Sequence, residues 1–188
     1  MTRLLVLVAL ISMGSALDVV AGDPKKLMEQ EILEVQPSSF DELWDDAAAV
    51  VHARVIAASP SVRTAGTVFT PVRLQILEGF KGNIEWTRQE WQLTVYQMAG
   101  EVESNGIVVR VRDREVLRAG REYVLLLGWN PYSERWMVRG NDGVFELRGE
   151  SLRPWGRSAV ARARDDERPQ HFLTELRSRG GSSVRRRH

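Results

Sequence analysis

The chain has 188 residues, enough for about one domain with short appendages. Its 26 Lys+Arg against 25 Asp+Glu leave a net charge of +1, and 43% hydrophobic with 27% charged residues describes an ordinary globular chain, neither disordered nor polytopic. Cys is absent, which excludes disulfides, thiolate metal sites, a cysteine nucleophile and a lipidated N-terminal Cys.

In chain order, Arg3 precedes an apolar run from Leu4 to Met13, and small residues follow at Gly14, Ser15, Ala16, Ala21 and Gly22. This is the layout of a secretory signal peptide over residues 1–22. The run is shorter than the roughly 20 residues that span a bilayer. Cleavage fits after Ala16 or after Ala21. The alternative is an uncleaved membrane anchor over Leu4–Ala21, which Asp18 argues against. Export places the protein in the periplasm or outside the cell.

Residues 23–37 are polar, bracketed by Pro24 and Pro37, and read as a linker or a loosely held helix, because Leu27, Met28, Ile32 and Leu33 have partial helical spacing. The domain proper is expected over 38–153. Ser39 and Glu42 fit a capping box for a short helix at about 40–47, with Trp44 as its anchor. Strands follow at 49–58 and at 68–76, where period-two alternation marks half-buried strands. Pro71 demands an edge or a bulge. Trp91, Leu93 and Val95 form a third strand, and Ile107, Val109 and Val111 a fourth, entered through an Asn105-Gly106 type I′ turn. Glu122 to Trp129 is apolar on both phases and should be central. Arg135–Arg139 and Val144–Arg148 complete a meander. Six or seven strands with no long helix between them predict a mainly β fold, a small antiparallel barrel or sandwich, the barrel being favoured because closure removes exposed edges.

Residues 154–188 change character. From Arg153 onward there are ten Arg against four acids, whereas the preceding chain is net negative. Two short helices are expected, over Ser158–Arg164 and from Pro169, with Phe172, Leu173 and Leu176 on one face of the second and Gly180-Gly181 as its stop. A disordered tail over residues 182–188, carrying Arg185, Arg186 and Arg187, is expected to follow.

The sequence names no reaction. It has no Gly-x-Ser-x-Gly, His-Glu-x-x-His, phosphate loop or dinucleotide fingerprint. His52, on the strand phase of Arg54, is an ordinary solvent or groove residue before it is a ligand or base. Acid pairs at Asp45-Asp46, Glu101/Glu103 and Asp165-Asp166-Glu167 read first as solvated faces or helix starts, with an unrecognised carboxylate hydrolase as the remote alternative. No catalytic residue, metal or cofactor is assigned. Trp91, Trp129 and Trp136 fall on aliphatic strand phases and are expected in the core. Trp86 and Trp155 fall in loops and are the candidate contact residues. The 23 Arg against three Lys reflect either codon bias or polyanion binding by the tail, through Arg185, Arg186 and Arg187.

Val50–Val55, then Thr70-Pro71-Val72-Arg73-Leu74-Gln75-Ile76-Leu77-Glu78-Gly79-Phe80-Lys81-Gly82, then Gly120-Arg121-Glu122-Tyr123-Val124-Leu125-Leu126-Leu127 together resemble netrin-like domains of the metalloproteinase-inhibitor type, and exported bacterial proteins of the same strand order. The resemblance covers about residues 50–130. It implies a five-stranded, partly open oligonucleotide/oligosaccharide-binding (OB)-like barrel with helices outside. That inhibitor family reaches its target's zinc with an N-terminal Cys, which this chain lacks, so no functional residue carries over. The expectation is an exported binding protein that engages another envelope or secreted protein. A binder of anionic lipid or polysaccharide through the Arg tail is the alternative, and nucleic acid is not expected as a partner.

Overall fold

The structure is a computed structural model and describes residues 8–9, 26–32, 36–82 and 91–180. The fold is mainly β. Its strands are β1 (Val8–Ala9), β2 (Lys26–Ile32), β3 (Ala49–Ala58), β4 (Val62–Thr64), β5 (Thr67–Lys81), β6 (Gln92–Gln97), β7 (Glu101–Ser104), β8 (Ile107–Val111), β9 (Glu122–Asn130), β10 (Arg135–Val138), β11 (Val144–Arg148) and β12 (Ser151–Pro154). The helices are α1 (Phe40–Asp46), α2 (Ala159–Arg162) and α3 (Pro169–Gly180). No helix among the described residues is long and apolar enough to cross a membrane.

The main sheet runs β10-β6-β5-β3-β9-β11-β12, and β10 also pairs with β9. β3, β5, β6, β10 and β9 therefore form a closed circuit of pairings. Its lining follows from strand alternation. Val51, Ala53 and Val55 of β3, Val72, Leu74 and Ile76 of β5, Val95 of β6, and Tyr123, Leu125 and Leu127 of β9 meet inside the ring. Each such side chain contributes roughly 1.5–3 kcal/mol by leaving water.

The intervening residues point outward. Val50, Val124, Leu126 and Phe145 pack beneath the helices, against Phe40 and Trp44 of α1 and Phe172, Leu173 and Leu176 of α3. The described part of the extension, residues 154–180, is thus joined to the domain through a shared core. Ser39 Oγ accepts from Glu42 N at 3.1 Å to cap α1, but Glu42 reaches Ser38 N at 2.7 Å, one residue earlier than a simple capping box.

Several expectations need correction. The sheet is not wholly antiparallel: β6 with β10 and β2 with β8 are parallel. The β6–β10 crossover is made by the β7–β8 hairpin and β9 rather than by a helix, so the missing helix did not exclude parallel pairing. Lys26–Ile32 is neither linker nor helix but the strand β2, held by β8. With β1 and β7 these strands form a second sheet, which packs Val109 and Val111 on Val68 of β5.

Pro71 lies in an interior strand, where β5 changes neighbours on one side. β3 pairs up to Val72 and β4 begins at Phe69. Its ring sits in that gap, so no ladder bond is lost there. The Asn105-Gly106 turn is as expected, with both φ positive at 52° and 73°.

Candidate binding site

Trp155 lies outside any strand or helix, as expected, but is half-buried rather than exposed. It follows β12, lies half-buried against the ring core, meets Tyr123 edge-on at 5.5 Å, and places Nε1 3.4 Å from Glu146 Oε2. Trp86, Arg185, Arg186 and Arg187 lie outside the described residues.

Trp129 and Trp136 share the inward phase but sit at one end of the ring, opposite each other with centroids 5.2 Å apart. Trp129 is 45% exposed and Trp91 37%, so neither is the core residue expected. Alternation fixed the phase of Trp129 but not its height along the ring.

The charged residues singled out are structural in their contacts. His52 Nε2 is 3.1 Å from Glu122 Oε2, and Arg54 Nη2 is 2.6 Å from Glu122 Oε1. Burial pulls the His52 imidazole below its ordinary value, and Glu122 only partly offsets this. Asp46 pairs with Arg139, Glu101 with Arg110 and Glu167 with Arg164. Glu146 is the deepest carboxylate of these ion pairs, with a side chain 3% exposed. Burial pushes it up, but hydrogen bonds from Arg148 and Trp155 and the charges of Arg148 and Arg153 outweigh that and hold it low. Among the described residues no three His, Asp or Glu side chains converge as metal ligands would.

A different surface has the features of a site. The helices cover the outer face of β3, β9 and β11 and the C-terminal end of β5, where Phe80 packs and Glu78 pairs with Arg177, while the outer face of β6, β10 and the preceding part of β5 stays open. Phe69, Tyr96, Arg135 and Met137 are half-buried there, and Arg73 and Thr94 are exposed. A groove of about 220 Å³ runs between the β4–β5 hairpin, which supplies Thr64 and Thr67, and the β9–β10 turn, which supplies Asn130 and Ser133. Its floor is Phe69, Tyr96 and Met137.

The Arg135 guanidinium lies over the Tyr96 ring, 4.4 Å from its centroid, and no acid lines the groove. Asn130 Oδ1 accepts from Tyr132 N at 3.0 Å and Ser133 N at 3.3 Å, a local lock that holds the turn. At its tip Tyr132 is 99% exposed. Sequence reasoning passed over Tyr96 and Arg135. The available signal was the outward phase of three strands, which carries aromatics and Arg but no acid.

No protein-family model, curated protein or solved structure matches the chain.

Proposed function

We propose that this is an exported, non-catalytic binding protein built on a small OB-type barrel, and that it engages another envelope or secreted protein through the outer face of β5, β6 and β10. The observation that carries the reading is where the groove lies. Counted around the five-strand circuit in chain order, β5 and β6 are the second and third strands, and the β3–β5 and β9–β10 connections flank the groove. OB-type barrels bind ligands on that face and between those two connections.

The composition favours a protein partner. Phe69, Tyr96, Met137, Arg135 and Tyr132 are residue types enriched at protein interfaces, and Lys, Asp and Glu are absent from the groove. Export rests on the signal-like segment at residues 1–22. An anionic-surface role for Arg185, Arg186 and Arg187 rests on sequence charge alone.

The test is a photo-crosslinking amino acid in place of Tyr132 in the full chain, expressed in its own host. A discrete adduct with another polypeptide, lost when Tyr96→Ala is added, is the expected result. Adducts absent, or unchanged by Tyr96→Ala, would refute the reading.

A further inference from the structure

We infer that the partner presents an acidic segment to this face, with one carboxylate on Arg73 and another on Arg135. The inference rests on the proposed reading of the face as the binding surface and adds the chemistry of what binds there.

Strand register sets the geometry. Arg73 of β5 lies opposite Thr94 of β6. The parallel join places Trp136 beside Val95 and Met137 beside Tyr96, so Arg135 flanks Thr94 from the other side. Two arginine positions thus share one row across three strands, their backbones about two strand spacings or ~10 Å apart, with a threonine between them. The neighbouring row is Pro71, Tyr96 and Met137, of which Tyr96 and Met137 belong to the groove's apolar floor.

Charge complementarity then selects the occupant. Elsewhere Arg54, Arg110, Arg139, Arg164, Arg177 and Arg179 each hold an acid. Among the described residues no acid pairs with Arg73 or Arg135, and the outward positions Phe69 to Gln75, Gln92 to Tyr96 and Arg135 to Met137 carry none. Arg135 is restrained by an aromatic ring rather than by a counter-charge. A guanidinium held in this way, with its donor edges open, loses little freedom on gripping a carboxylate.

A polyanion is disfavoured on this row. Tight nucleic-acid binding draws on several phosphate contacts, about 6–10 in strongly salt-dependent cases. This row offers a pair of cations beside an apolar floor, which suits carboxylates set among apolar side chains.

The probe is a short synthetic peptide in which Glu alternates with Val, titrated into isotope-labelled protein with backbone amide shifts as the readout. Its Gln-for-Glu counterpart, an oligogalacturonate and an oligothymidylate are the comparison ligands. The Glu peptide should shift the amides of Arg73, Thr94, Tyr96 and Arg135, and the Gln peptide should not. R73Q and R135Q should each weaken binding about tenfold, and R135K should fail to restore it, because Lys lacks the fork. Unchanged melting temperatures in these variants would separate lost contact from lost fold.

Tighter binding of either polyanion than of the peptide would overturn the partner class. Absent shifts, or affinity unchanged in R73Q and R135Q, would overturn the acidic contact. In that event a retained adduct at position 132 leaves the protein-binding reading standing, and loss of both removes it.

Discussion

Glu175 of α3 holds the guanidinium of Arg164 in a fork, with Arg164 Nη2 2.8 Å from Glu175 Oε1, while the same guanidinium lies 4.8 Å from the Phe40 ring and 5.3 Å from the Phe172 ring. One side chain therefore joins the α2–α3 connection to both helices that cover the ring. Arg164→Lys keeps the charge but loses the fork and the planar stack. It should lower stability by about 1–2 kcal/mol, read as a shifted urea midpoint at constant slope.

Gly156 is fixed by the approach of Asp142. A Cβ there would stand 1.8 Å from Asp142 Oδ1, the atom that accepts from Ser158 N, and Ser158 Oγ in turn caps α2 through Ala161 N. Gly156→Ala should cost about 2–4 kcal/mol by displacing a buried carboxylate and its cap. Thermal unfolding would show it, and Gly106→Ala at an open turn should cost less.

His52 gives stability a pH dependence. Its imidazole is held below the ordinary 6.5, so near that pH the unfolded chain binds more protons than the folded one. Stability should fall as pH drops from neutrality through 6.5 towards the folded value. Glu78 and Glu122 facing the ring moderate the loss, and Arg177 deepens it. His52→Gln should flatten this slope. The effect is separable from that of Glu122, whose carboxyl is held below 4.5, chiefly by Arg54, and which loses its stabilising charge only in stronger acid. Urea unfolding at stepped pH measures both.

Trp155 and Tyr132 should behave as opposites. Trp155→Ala removes the edge contact to Tyr123 and the donor to Glu146, and should cost about 2–3 kcal/mol. Tyr132→Ala, at an exposed tip, should change stability by less than about 0.5 kcal/mol. Calorimetry of the two variants decides between them.

Under the proposed export, mass spectrometry of protein recovered outside the cytoplasm should find an N-terminus at Leu17 or Gly22. Either cut would remove β1, which pairs with β2 through Val8 and Ile32. An N-terminus at Met1 in a membrane fraction would instead support the anchored form.

What could be read from the sequence was set by local periodicity. β3, the Asn105-Gly106 hairpin and the doubly apolar β9 declare themselves within a few residues. β2 does not, because Leu27, Met28 and Ile32 are spaced like a helix face and only the distant partner β8 makes Lys26–Ile32 extended. β12 is four residues ending in Pro154, too short for alternation to register. The proposed face was invisible for a related reason. Arg73, Tyr96 and Arg135 belong to separate strands, and only the register brings them into neighbouring rows.

The parallel join of β6 to β10 also governs the order in which this chain can complete itself. β6 and β9 each wait for β10, the last member of the circuit to be synthesised, so a nascent chain halted before Val138 has two bare strand edges and an apolar interior open to water. Such long-range closure makes for slow folding. Fragments ending within the β9–β10 turn should therefore aggregate rather than fold.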